Sequence, residues 1–149
     1  METTNKRITT SVEERLATIN RALPFSDEGE RGLLSCLMQD PMTRIPETRP
    51  RVPEEAFYHE AYGIIFHELI EMWENHVGID PMLLTHRLRD KNLLDKVGGA
   101  AQITELFAFV PITAHYPFYT KIVQDKWQLR ELISVASQII EDVYIYAQE

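Results

Sequence analysis

Apolar side chains recur along this chain at steps of three and four residues, the spacing that places them on one face of an α-helix. Leu33, Leu34, Leu37 and Met38 form the first such stripe. Ser26 precedes it as an N-cap, and Asp27, Glu28 and Glu30 bring negative charge to the positive helix end. Asp40-Pro41 stops it, because proline disfavours helical backbone in the residue before it. Pro41 to Pro53 contains four prolines and three arginines and reads as an ordered loop or a break between helices. The helical pattern resumes at Glu54 with Phe57, Tyr58, Tyr62, Ile65, Phe66, Leu69, Ile70 and Trp73, and is expected to end within 75–78. Asp80 then caps a helix with Pro81 in its first position and Leu83, Leu84 and Leu88 along it. Leu93, Leu94 and Val97 lead to Gly98-Gly99, a sharp turn into a helix carrying Ile103, Leu106 and Phe107.

The final segment differs. Pro117 can open a helix that nothing interrupts. Leu129, Ile133, Ala136, Ile140 and Val143 step by 4, 3, 4, 3, with Leu132, Ile139 and Tyr146 beside them. A helix over 117–147 is about 46 Å long at ~1.5 Å per residue. That exceeds the diameter of a globule formed by residues 23–110, so part of it must protrude. A protruding apolar seam calls for a partner helix. The expected fold is all-α. A flexible extension (1–22, with a weak helix over 11–21) precedes a compact multi-helix head (23–110) and a long arm (111–149). The predicted head core is Leu33, Leu37, Phe57, Ile65, Phe66, Leu69, Leu88, Leu94, Ile103 and Leu106. The predicted self-association seam is Leu129, Ile133, Ala136, Ile140 and Val143.

Charge narrows the function. Fifteen Lys and Arg stand against 23 Asp and Glu, a net charge of −8. Broad binding of phosphate backbones needs the opposite balance, so contact with DNA is expected to be weak or indirect. No apolar run nears the ~20 residues that span a bilayer, and the polar opening lacks the apolar stretch of a secretory leader, so none is expected. With one cysteine, no internal disulfide can form. A cytoplasmic location is the default expectation.

Several residues invite a chemical reading. His67-Glu68-Leu69-Ile70-Glu71 imitates a zinc-protease helix, but Glu71 occupies the place of the second histidine. Cys36 reads as a buried helical thiol, not a nucleophile. His59, His76, His86 and His115 lack ligand spacing. Trp73, Trp127, Tyr116, Phe118 and Tyr119 could stack bases, but their helical spacing favours core. Arg44, Arg49 and Arg51 read as a solvated loop. No catalytic, cofactor or metal residue is therefore assigned.

Four segments in order resemble the amino-terminal domain of DnaB-type replicative DNA helicases, over about residues 23–147. Leu23-Pro24-Phe25-Ser26-Asp27-Glu28-Gly29-Glu30, ending Leu37-Met38-Gln39-Asp40, is similar to that family's L-P-[HN]-x-x-E-A-E helix. Ala56-Phe57-Tyr58 through Ile65-Phe66 is similar to D-F-Y-x-x-x-H-x-x-I-F. Gly78-Ile79-Asp80, Leu88, Leu94, Gly98-Gly99 and Gln102-Ile103 follow the third motif. Val110-Pro111-Ile112-Thr113-Ala114, Tyr119 and Ile122-Val123 follow the fourth. Gly29 stands for the usual alanine, Tyr62 for histidine, Ala56 for aspartate and Gly78 for proline.

The resemblance implies a non-catalytic collar domain. It would pair with itself into dimers and, in the full-length protein, a hexamer, and it would dock primase or a helicase loader. It also implies that residues 117–147 are the first arm of a helical hairpin. ATP and Mg²⁺ would belong to a carboxy-terminal ATPase domain; these 149 residues hold no G-x-x-x-x-G-K-[ST]. The alternative readings are a stand-alone helical regulator of a helicase or primase and, more distantly, a metal-dependent hydrolase on His67, Glu68 and Glu71.

Overall fold

In the computed structural model, residues 11–17 and 22–149 are described, and all regular structure among them is helical. A short helix α1 covers 11–17, inside the expected weak helix; 1–10 and 18–21 lie outside the described residues. Then come α2 (Asp27–Gln39), α3 (Pro41–Thr48), a 3-10 turn (Glu54–Ala56), α4 (Glu60–Glu74), α5 (Pro81–Asp90), α6 (Gly99–Phe107), a second 3-10 turn (Thr113–His115) and α7 (Tyr116–Gln148).

The local signals act as read. Ser26 Oγ accepts from the Gly29 amide at 3.0 Å, and Asp80 Oδ1 accepts from the Leu83 amide at 2.9 Å. Each satisfies a first-turn donor that has no helical partner. Asp40 leaves the helical region at φ −135°, ψ 64°, as the following proline requires. Gly98 and Gly99 both take positive φ, 95° and 80°. That conformation is costly for a residue with a Cβ, and it turns the chain into α6.

The proline-rich stretch differs from its sequence reading. It opens with helix α3, which contains Pro46. Pro41 sits at the first helical position, where its missing N–H costs nothing. Pro46 would have bonded back toward Met42, whose side chain is exposed, so water can serve the vacated carbonyl. The burial of Ile45 and Thr48 against the head holds the turn together. The helical pattern from Glu54 is also interrupted, with α4 beginning only at Glu60.

Helix α2 is the centre. Leu33, Leu34, Cys36 and Leu37 are completely buried, and α3, α4, α6 and α7 all pack on α2. Truncating one such leucine costs about 2–5 kcal/mol. The predicted core is buried throughout except Leu94, which is partly buried at its edge. The polar groups on α2 are satisfied. Gln39 Nε2 donates to the Phe107 carbonyl at 2.8 Å and the Val110 carbonyl at 2.6 Å. Ser35 Oγ donates to the Phe107 carbonyl at 3.0 Å and accepts from the Val110 amide at 3.1 Å. These bonds cap the end of α6 and fix the loop that leads to α7. A second polar tie links α4 and α5: buried Glu68 pairs with Arg87 at 2.5 Å and with Lys91 at 2.8 Å.

Helix α7 approaches α2 closely through two glycines one turn apart. A Cβ at Gly29 would stand 2.7 Å from Ile122 Cγ2, and one at Gly32 would stand 2.3 Å from the Tyr119 ring. Glycine at these positions is a packing requirement. On an exposed face, Gly→Ala would favour the helix by about 1 kcal/mol. Here overpacking dominates, so Gly32→Ala is expected to lower the unfolding free energy by about 1–3 kcal/mol, read by urea denaturation.

Candidate self-association surface

Helix α7 has 33 residues, a length of about 50 Å. Its buried residues, Tyr116, Thr120 and Val123, all lie in its first third. From Glu141 to the end every residue is exposed. The helix thus starts as part of the head and leaves it as an arm.

The departure point is clamped. Arg130 donates to the main-chain carbonyls of Pro24 at 2.9 Å and Ala56 at 2.6 Å. Its guanidinium stands 5.7 Å from the centre of the Tyr58 ring, which stacks on Phe25 at 4.4 Å and 7°. Beneath lies Glu30, nearly inaccessible. It accepts from the His59 amide at 3.2 Å and faces the His59 ring at 3.5 Å. Burial pushes the Glu30 carboxyl above the ordinary carboxylate range. The His59 amide and ring and the Arg130 charge oppose that shift without cancelling it. Tyr62, in the usual histidine position, accepts from Arg31 at 2.9 Å and donates to Asp27 at 3.2 Å.

Beyond the clamp the apolar residues are wet. Leu129 is 45% exposed, Leu132 67%, Val135 59%, Ile139 59% and Val143 61%. Ile133 and Ile140 are half-exposed, and Ala136 is exposed. All five predicted seam residues therefore lie on one helix face, and none is buried by its own molecule. At ~100° per residue the face is wider than that seam. Leu129, Ile133, Ala136, Ile140 and Val143 fill one half. Leu132, Val135, Ile139, Val143 and Tyr146 fill the adjoining half, for a sector about 160° wide. Val135 was missed in the sequence reading; its step of four to Ile139 was the available signal.

Other sequence candidates fall elsewhere. Burial pushes the Cys36 thiol up to about 11, so the nucleophilic thiolate is scarce at neutral pH. His67 stands 2.9 Å from Glu54 and 4.0 Å from Glu71, while Glu68 turns inward to Arg87 and Lys91. The carboxylates of that motif already hold cations. Tyr116 is buried, and Trp73, Tyr119 and Trp127 pack against the core. Phe118 is 55% exposed, with Tyr119 edge-on beside it. Arg44 pairs with Asp40 and Glu47, and Arg49 pairs with Glu74.

Residues 22–125 match the model of the DnaB-like helicase N-terminal domain family. The replicative DNA helicase DnaB of Geobacillus stearothermophilus is 32% identical over 129 residues, covering 87% of this chain and 28% of that protein. The Haemophilus influenzae DnaB is 35% identical over 123 residues, covering 81% of this chain and 26% of that protein. This chain thus spans little more than a quarter of these relatives. Among solved structures, the N-terminal domain of DnaB helicase from Mycobacterium tuberculosis superposes with a TM-score of 0.81 at 22% identity, covering 86% of this chain and 91% of that one. A DnaB-like replicative helicase, described together with its interactions with primase, superposes at 0.70 with 26% identity, covering 80% of this chain and 28% of that one.

The root of the arm gives a pH-dependent expectation. A carboxyl whose folded pKa is raised stabilises the fold most while protonated, and the advantage is lost as pH rises through the unfolded and then the folded value. Glu30→Gln keeps an acceptor for His59 and removes the buried charge. Its melting temperature should exceed that of the wild type near pH 7, and the difference should vanish near pH 4. Thermal melts by circular dichroism across that range would check it.

Proposed function

The chain belongs to the DnaB-like helicase N-terminal domain family, and on that premise we propose that it is the non-catalytic assembly and docking domain of a replicative DNA helicase. The observation that carries the reading is the arm, whose apolar face its own molecule leaves uncovered. In this reading a second copy covers it, first as a dimer and then, in a longer parent protein, as a hexameric ring. ATP and Mg²⁺ serve the ATPase part of that parent. The DnaB-like neighbour described with primase supports primase as the docking partner, with a helicase loader as the alternative in this reading. The net charge of −8 favours protein partners over a grip on DNA. No helix among the described residues is long and apolar enough to cross a membrane, and the reading places the protein in the cytoplasm.

Magnitudes set the strength of pairing. Completely burying a side chain of the Leu, Ile or Val type contributes about 1.5–3 kcal/mol. Leu132, Val135, Ile139 and Val143 are already partly covered, so the pair of arms gains roughly 6–12 kcal/mol from them. The cost of association is about 4–15 kcal/mol. The two nearly cancel, so the arm alone gives weak pairing and the rest of the wide face decides the affinity.

Sedimentation velocity at ~50 µM tests this directly. The wild-type chain should sediment as a concentration-dependent dimer or larger species. Ile133→Glu with Ile140→Glu should sediment as a monomer with unchanged helicity. A wild-type monomer at that concentration would overturn the assembly reading.

A further inference from the structure

His59 stands at the root of the arm, immediately before α4, with its side chain 33% exposed. Its two ring nitrogens face two different carboxylates of α2. Nδ1 lies 3.5 Å from Glu30 Oε1, and Nε2 lies 4.0 Å from Asp27 Oδ1. Nδ1 is buried and has no hydrogen-bond partner. Both separations exceed the ~2.8 Å of a charge-assisted bond, so the ring sits between two acceptors without closing on either.

Protonation decides how many of these bonds can form. A neutral imidazole carries one N–H and serves one carboxylate, with a lone pair against the other. The imidazolium carries two and serves both. Aromatic rings keep it in place: Phe25 at 5.1 Å and Tyr58 at 5.4 Å, both edge-on, and Tyr62 at 4.9 Å. Besides the two carboxylates, three polar groups bear on the site. The Tyr62 hydroxyl donates to Asp27 at 3.2 Å, Arg31 pairs with Asp27 at 3.3 Å, and from α7 the charge of Arg130 acts on Glu30.

The same segments form the socket of the arm. Arg130 donates to the carbonyls of Pro24 and Ala56 and lies over Tyr58, so its partners flank the two rings that pack on His59. Drawing His59 toward α2 draws these segments together around the guanidinium.

We propose that His59 is a proton-operated tie: on gaining its second proton it bridges Glu30 and Asp27, tightens the Arg130 socket and stiffens the departure of α7. Imidazoles as a class gain that proton near pH ~6.5. The tie is therefore closed on the mildly acid side and open above neutrality. It opens again in stronger acid, once the carboxylates are protonated and no longer accept as anions. Burial raises the Glu30 carboxyl, which places that lower edge above the ordinary carboxylate range. A stiffer root costs less to order on pairing, so the tie would regulate self-association; this last step rests on the assembly reading above.

The test has two arms. Ring-nitrogen shifts and amide relaxation are followed from about pH 8 to about pH 6 on the full chain carrying Ile133→Glu and Ile140→Glu, so that pairing cannot imitate stiffening. Both His59 nitrogens should become N–H donors, and amides of residues 131–147 should lose fast motion with the midpoint of the ring. Sedimentation velocity of the wild type over the same range should show the dimer Kd falling at least about fivefold. His59→Asn should abolish both responses, and His86→Asn, exposed on α5, should retain them. If His59→Asn does not fold, Asp27→Asn serves instead: it removes one acceptor and should move the arm response to lower pH. The tie is overturned if the ring titrates while the arm amides stay unchanged, or if the His59 variant keeps the pH response. Stiffening without pairing at any pH would leave the tie standing and sink the assembly reading.

Discussion

The close approach of α7 to α2 is the constraint on which the molecule depends. Helix α2 is surrounded by four other helices, and Gly29 and Gly32 remove the two side chains that would hold the longest of them off. Tyr119 and Ile122 occupy the space so released. The direction of α7 over its first third is therefore set by contact along the centre of the core. Everything the arm does farther out inherits that direction. Close packing of this kind resists small displacements, because each neighbour is already at its contact distance.

Two fixings follow from the same axis. Gln39 and Ser35 reach from α2 to the carbonyls and amide of the α6–α7 connection. Thr48 and Tyr116 join α3 to the first residue of α7. The loop between α6 and α7 is thus held by side chains of the core helix, which explains how a connection with only a short 3-10 turn of its own can still launch a long helix accurately. Polar groups in this position also rule out alternative registers, since a shift by one residue would leave several buried donors unpaired.

Much of this was legible in the chain. The caps at Ser26 and Asp80, the stop at Asp40, the Gly98-Gly99 turn and the length of α7 depend on local chemistry, which a single sequence displays. The family resemblance rested on motif order and was matched by the fold. The helix in the proline-rich stretch was not legible, because its stability comes from the burial of Ile45 and Thr48 against the head and not from propensity. Arg130 was silent for a related reason: its partners are backbone carbonyls distant in sequence, which no pattern advertises. The full width of the exposed face was only half seen, since a strict seam with steps of four and three conceals a second line of apolar residues shifted by one position.

The clamp at Arg130 has a further implication. Its acceptors at 24 and 56 belong to the main chain, so any residue type at those positions offers the same oxygen. The usual aspartate of the family at 56 can give way to Ala56 here without disturbing the grip. Divergence on the head's outer surface is thereby uncoupled from the bearing of the helix that leaves it: the surface can change its chemistry while the angle at which that helix leaves the head stays the same.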